Sequence, residues 1–202
     1  PLKQNIAAVI PIMGNMVQDS REFKLLRKVV DQLRKSQYIS SIYCISDDPQ
    51  ISKVNKTTWI DRRAIDSADS ISLNNLLKQA LNAIETKNDY PDSILYVNFD
   101  YLNRPIGIFD ELITDAQYKG CDTVFPGLID YGHYWFHNTD DEYEQTDPSL
   151  RPREKRDPLY KALYGLGCLT ASWVIRSGQL VGGKVGILKV SNPKSAHREF
   201  RK

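Results

Sequence analysis

An excess of either charge is missing from this sequence: 27 Lys and Arg stand against 25 Asp and Glu, for a formal net charge of +2. A balance this even leaves no electrostatic footprint for nucleic acid. What basic bias exists is local, at Arg151–Arg156 and at the C-terminal end. Cysteine is scarce as well. Cys44, Cys121 and Cys168 are widely spaced, and two of them sit in apolar runs. That pattern argues against a disulfide framework or a zinc site. It suits buried thiols in a reducing compartment, so a cytoplasmic protein is expected. No apolar run approaches the roughly 20 residues that span a bilayer, and no signal peptide is visible, so no membrane partner is expected. There is no internal repeat and no low-complexity segment.

What the sequence does contain is a regular alternation of apolar runs and amphipathic segments. Its 202 residues, 41% hydrophobic and 26% charged, suffice for one α/β domain with a substantial core. Ile6–Ile12 is a continuous apolar run, read as a buried first strand, and Met13-Gly14-Asn15-Met16 as a loop. Asp19-Ser20 caps a helix from about Arg21 to Lys35, with Phe23, Leu26, Val30 and Leu33 at helical spacing. The most informative stretch is IYCISDDPQISKV, Ile42–Val54. Ile42–Ile45 reads as a strand and Ser46-Asp47-Asp48 as a polar elbow that caps a helix or binds a ligand. Pro49 fits a first helical turn. In a parallel sheet such an elbow lies at the carboxyl edge, where ligands bind.

The alternation continues. Thr57–Ile60 reads as a short strand, and Ser72 precedes an amphipathic helix carrying Leu73, Leu76, Leu77, Ala80, Leu81 and Ile84. A strand over Ser93–Asn98 leads to a helix from Ile108 to Tyr118 closed by Gly120, then to a strand at Asp122–Phe125. His133–His137 and Glu142–Thr146 flank Asn138-Thr-Asp-Asp as a hairpin. A loop rich in Pro and Arg leads to Tyr164–Ile175; ALYGLGCL, Ala162–Leu169, reads as an apolar strand, and Val185–Val190 reads as the last strand after Gly182-Gly183. The pattern implies one domain over residues 1–202, a mostly parallel sheet with right-handed crossovers, and a protruding hairpin over residues 131–146.

The stretches AAVIPIMG, ISDDPQI, DRRAIDSADSISLNNLLKQAL, YVNFDYLNRP and RPREKRDPLYKALYGLGCL follow one another along nearly the whole chain. In this order they resemble the acylneuraminate cytidylyltransferase family, which includes the CMP-sialic acid and CMP-KDO synthetases, as a divergent member. The resemblance implies a three-layer α/β/α nucleotide-diphospho-sugar transferase fold, Rossmann-like, with a mostly parallel sheet. It implies transfer of CMP from CTP to an acidic sugar, a nonulosonic acid, with Mg²⁺ as the assisting cation. The sugar hydroxyl attacks the α-phosphorus and pyrophosphate leaves. The nucleotide would be held by Ile12, Met13, Gly14, Asn15, Ser46, Asp47 and Arg62. The acidic sugar would meet Arg104, Arg153, Arg156 and Tyr160. Metal would be held by Asp100, with His197 and Glu199 standing where the family places an Asp-x-Asp pair. A homodimer through the hairpin is implied, and Tyr131–Gln145 is rich in the aromatic residues such a contact uses.

The sequence departs from the family at two places. Met13 stands where the family's phosphate loop has an Arg, so Arg21 and Lys24 are the candidates to supply the missing cation; the plain alternative is two exposed helix residues. At the other end, His197 and Glu199 keep alternate spacing and face one side of an extended segment. A His-Glu pair suits a transition metal better than Mg²⁺, and the alternative is a solvated tail. Asp100 is a metal ligand or a turn residue. Arg151–Arg156 is an anion-binding rim or a solvated charge run. His133 and His137 bracket Tyr134 and Trp135 with no third ligand for a metal. Three readings of function result: a cytidylyltransferase, with Arg21, Lys24 and Asp100 as catalytic candidates and activity weakened by Met13; a non-catalytic nucleotide or sugar binder of the same fold; and, last because its Asp-x-Asp signature is absent, a glycosyltransferase with a nucleotide-sugar donor.

Overall fold

The fold was analysed in a computed structural model, which describes residues 4–17, 20–65 and 72–199. The buried run Ile6–Pro11 forms β1, and the chain then crosses a short loop to α1, Arg21–Arg34. Ser20 caps α1 by accepting the Phe23 N–H at 3.1 Å, a bond worth about 1 kcal/mol. The face of α1 carrying Phe23, Leu26, Val29, Val30 and Leu33 is buried, each side chain contributing roughly 1.5–3 kcal/mol. Asp19, the other capping candidate, and the acidic-Ser stretch over residues 66–71 lie outside the described residues. Next come β2, Ile39–Ser46; a 3-10 turn, Pro49–Lys53; β3, Thr58–Asp61; a short α2, Arg62–Ile65; and α3, Leu73–Glu85, capped by Ser72. They are followed by β4, Ser93–Tyr96; α4, Ile108–Lys119; and β5, Thr123–Asp130. The chain continues through β6, Trp135–His137; β7, Tyr143–Gln145; β8, Leu159–Ala162; β9, Cys168–Ala171; α5, Ser172–Arg176; and β10, Val185–Val190.

Eight strands form one sheet in the order β10-β5-β9-β4-β1-β2-β3, with β8 paired to β5 off that path. The pairs β1–β2, β1–β4, β2–β3 and β5–β10 are parallel, while β9 runs antiparallel to both β4 and β5. One face packs against α1 and α4 through Leu26, Leu33, Leu112 and Ile113; the other packs against α3 and α5 through Leu77, Leu81, Ile84 and Ile175. This is the three-layer α/β/α arrangement expected from the alternation of elements. β6 and β7 form a separate two-stranded ribbon whose residues are nearly all exposed.

Two expectations need correction. β5 runs on through Pro126 to Asp130 instead of stopping at Phe125. A proline lacks a ladder N–H, but here β9 pairs only with Thr123 and Val124, and β8 takes over at Gly127. Pro126 therefore sits where the partner changes, and its carbonyl still accepts the Leu163 N–H at 2.9 Å. The stretch ALYGLGCL is not one strand. A 3-10 turn at Tyr164–Leu166 separates β8 from β9. Gly165 permits that turn because a Cβ there would come within 2.8 Å of both Asn98 Cβ and Tyr101 Cε2.

Candidate functional site at the carboxyl edge of the sheet

The carboxyl ends of β1, β2 and β4 converge on one edge. Ile12 extends β1 by donating its N–H to the Ile45 carbonyl at 2.8 Å, and its side chain is in the core. Beyond it the chain turns through Gly14, whose φ of +75° is open to glycine at little cost. The Met13–Val17 loop is fastened by the second acid of the elbow. Asp48 is buried; its Oδ2 accepts the Met16 N–H at 2.8 Å, while its Oδ1 accepts the Gln50 N–H at 2.9 Å. Asp48 thus caps the following turn and pins the loop at once. Its own N–H donates to the Ser46 hydroxyl at 3.1 Å, and the Trp59 indole donates to the Ser46 carbonyl at 3.0 Å. Ser46, expected at the ligand edge, is fully buried in this scaffold.

Asp47 has the opposite environment. Its side chain is half-exposed, with Oδ1 at 4.0 Å from Arg62 Nη1. The same Arg62 nitrogen donates to the Met13 sulfur at 3.0 Å. Arg62 is 9% exposed, and Met13 is 65% exposed. Met13, Asp47 and Arg62 therefore meet, as the sequence places them, with Met13 as a soft lid on the guanidinium.

On the other side of the loop, a cavity of about 450 Å³ lies between Met13, Asn15, Met16 and Val17 and the segment Asn98–Asp100. Arg198 completes its wall. Arg198 was not among the residues singled out in the sequence. It arrives because the chain after the 3-10 turn at Pro193–Ala196 runs antiparallel to the segment after β4. Leu102 donates to the His197 carbonyl at 3.3 Å, and Glu199 donates to the Asp100 carbonyl at 2.9 Å. Arg198 Nε and Nη2 both donate to Asp100 Oδ2, at 2.9 and 2.7 Å. That bond, with the Coulombic attraction of the same carboxylate, holds the Arg198 pKa above its ordinary value. Asp100 is buried, and its other oxygen, Oδ1, has no hydrogen-bond partner among the described residues. Arg21 pairs with Glu199, Nη1 to Oε1 at 2.5 Å.

The donor set for Mg²⁺ can be judged from these pairs. Magnesium takes small-radius oxygen ligands in near-octahedral geometry. Here each of the two carboxylates, Asp100 and Glu199, already carries a guanidinium. Among the described residues no three His, Cys, Asp or Glu side chains gather as a metal group. The residues present do not fit a divalent ion in this arrangement.

The remaining candidates lie elsewhere. Arg104 is buried, donating to the carbonyls of Leu166 at 3.0 Å, Asn98 at 2.5 Å and Gly165 at 3.2 Å. Burial lowers its pKa to about 10, so it stays charged at neutral pH and ties β4 to the turn before β9. Lys24 faces a different cavity, about 960 Å³, between α1 and the segment Leu102–Asp110. Although larger, that cavity has no strand end in its wall, so the edge cleft is the better site for chemistry. Arg153 stacks over Tyr131 at 5.2 Å, Arg156 contacts His133 at 2.9 Å, and Tyr160 lies on β8 under the Lys189 ammonium at 5.9 Å. These three knit the Arg-rich loop to β5 and the base of the hairpin, and none of them lines the cleft beside Met13 and Asp100.

No protein-family model and no curated protein matches the sequence. Solved structures do match by shape. CMP:2-keto-3-deoxy-manno-octonic acid synthetase complexed with CTP superposes with a TM-score of 0.63 at 12% identity, over 93% of this chain and 90% of that one. A 4-diphosphocytidyl-2C-methyl-D-erythritol synthase gives 0.67 at 11% identity, over 100% and 94%. The corresponding synthase of Anaerococcus prevotii DSM 20548 gives 0.63 at 10% identity, over 96% and 89%. The likeness is of fold: an α/β nucleotide-diphospho-sugar transferase fold, shared nearly end to end with these synthetases.

Proposed function

We propose that the chain is a cytidylyltransferase-like protein that binds CTP at the carboxyl edge of its sheet and transfers CMP to the hydroxyl of an acidic sugar, with weakened turnover. One observation carries the reading. What supports it is a fold shared with a synthetase solved with CTP, together with a glycine loop that lines a cleft with Arg198 on one side and meets Asp47 and Arg62 on the other. In such a reaction the sugar oxygen forms a bond to the α-phosphorus and the α–β bridging P–O bond breaks. The electron pair leaves with pyrophosphate, so cations must meet charge that develops on the leaving group. Met13 supplies none, and it engages Arg62 through its sulfur. By analogy with losing one transition-state donor, a missing cation costs about 10²–10³ in rate. The same contact favours a second reading, a protein that binds nucleotide without turnover.

Pyrophosphate release from CTP, measured across a panel of nonulosonic acids in wild type and Met13→Arg, tests the proposal. Slow release that Met13→Arg accelerates supports it. CTP binding with no release from either protein supports the binder. Absence of nucleotide binding refutes both. Dimerisation through residues 131–146 belongs to the same proposal and rests on the exposed Trp135, Phe136 and Tyr143.

A further inference from the structure

Resting on the nucleotide reading above, we propose that the cleft holds the phosphates of its nucleotide with Arg198 in place of a divalent metal. Asp100 stands in the turn that follows the buried strand β4, where the sequence offers it as a metal carboxylate, but its Oδ2 takes two hydrogen bonds from the Arg198 guanidinium at 2.9 and 2.7 Å. A cation is therefore already seated on the carboxylate, and it is covalently part of the chain. A guanidinium has five N–H donors in a planar fork. The Asp100 contact uses one on Nε and one on Nη2, so both donors of Nη1 and the second of Nη2 remain for phosphate oxygens. A fork of this shape suits two oxygens of one phosphate better than a point charge does. Arg198 also borders the cleft directly, opposite Met13, in the cavity of about 450 Å³.

The position of Arg198 is built. Backbone pairing of the segment His197–Glu199 with Asp100–Leu102 fixes it. Its guanidinium lies 5.6 Å over the Tyr101 ring. Beside it, Arg21 pairs with one oxygen of the second carboxylate, Glu199. A magnesium ion reaching the one unpartnered oxygen here, Asp100 Oδ1, would share its carboxylate with the Arg198 guanidinium, and that positive charge opposes a second cation at the same group. A phosphate can instead join Arg198 while Asp100 keeps its bond, because a carboxylate and a phosphate can share one guanidinium fork.

Titration calorimetry with CTP, in EDTA and in millimolar Mg²⁺, tests this on wild type, Arg198→Ala, Arg198→Lys and Asp100→Asn. Wild type is expected to bind CTP with dissociation constants within about threefold in the two buffers. Arg198→Ala should lose about tenfold or more in EDTA, the range of one charge-assisted hydrogen-bonded contact. It should regain part of that with Mg²⁺, since Asp100 is then free to accept a metal. Arg198→Lys, which keeps the charge without the fork, should fall between. Asp100→Asn should bind in EDTA at least as well as wild type. Wild-type binding that vanishes in EDTA overturns the inference and leaves the nucleotide reading standing. Folded Arg198→Ala that binds like wild type in EDTA overturns the role of Arg198. No CTP binding by wild type in either buffer overturns the nucleotide reading, and this inference with it.

Discussion

Asp48 and Asp47 are adjacent and chemically identical, yet their replacement by alanine should have very different consequences. Asp48→Ala removes a buried charge-assisted acceptor for the Met16 N–H at 2.8 Å and the cap for the Gln50 N–H at 2.9 Å. A hydrogen bond to a charged group contributes about 1.5–3 kcal/mol, and a lost cap costs about 0.5–2 kcal/mol. The total is about 2–4 kcal/mol, since the two bonds share one carboxylate. For a chain of this length about 1 kcal/mol shifts the midpoint by roughly 2–4 °C, so Asp48→Ala should melt about 5–15 °C lower. The Asp47 side chain is 40% exposed, and its nearest charge, Arg62, is 4.0 Å away. Asp47→Ala should therefore stay within about 0.5 kcal/mol of wild type. Urea unfolding of both variants gives the stabilities. Hydrogen exchange at the Met16 amide reports the loop itself, and protection there should collapse in Asp48→Ala alone. A stability loss under about 0.5 kcal/mol in Asp48→Ala, or an equal loss in Asp47→Ala, would refute the assignment of the elbow's second acid to the loop.

Three further outcomes follow from particular contacts. Gly165→Ala should destabilise by about 1–3 kcal/mol, because the new Cβ falls 2.8 Å from Asn98 Cβ and from Tyr101 Cε2; a neutral result in urea unfolding would show that the turn relaxes freely. Burial alone pushes the Asp89 carboxyl up, but hydrogen bonds from Asn5, Tyr43 and Ser41 outweigh it and hold its pKa below the ordinary value. A depressed folded pKa contributes stability that is present above the unfolded value of about 3.9 and is lost as pH falls through the folded one. Asp89→Asn should flatten the acid limb of a stability-versus-pH curve, and an unchanged limb would count against it. Trp135 and Phe136 are 60% and 48% exposed on the two-stranded ribbon, so Trp135→Ser/Phe136→Ser should convert a dimer to monomer in sedimentation at micromolar protein; a monomeric wild type would remove the hairpin contact.

The fold was legible because its signals are local. Ser20 and Ser72 cap the helices they precede, Gly120 closes α4 in a left-handed conformation, the apolar runs at β1 and β10 lie within a residue of their expected places, and β2 begins three residues earlier than its apolar run. The misread segments were decided by neighbours far along the chain. β5 survives Pro126 only because β8 replaces β9 as its partner at Gly127, and ALYGLGCL breaks because Gly165 must pass against Asn98 and Tyr101. Neither fact has a local signature.

The site divides along the same line. An elbow of two acids after a strand could be placed at the carboxyl edge of the sheet from local signals alone. Which acid would be buried depended on the Met16 amide, 32 positions earlier. Arg104 looked like a sugar-side cation, but three carbonyls from Asn98, Gly165 and Leu166 converge on it and convert it into a structural tie. Arg198 was invisible for the converse reason. It lies between two residues, His197 and Glu199, that drew attention as metal ligands, and its partner Asp100 is 98 positions away. On an extended segment, alternation sets Arg198 apart from its two neighbours. What alternation could not reveal is that Asp100 receives the guanidinium of the middle residue. The departure from an Asp-x-Asp pair is therefore more than a loss of metal carboxylates. The Glu that remains is bound to Arg21, the residue between the two positions supplies a cation of its own to Asp100, and this cation is the one proposed above to take the place of an ion.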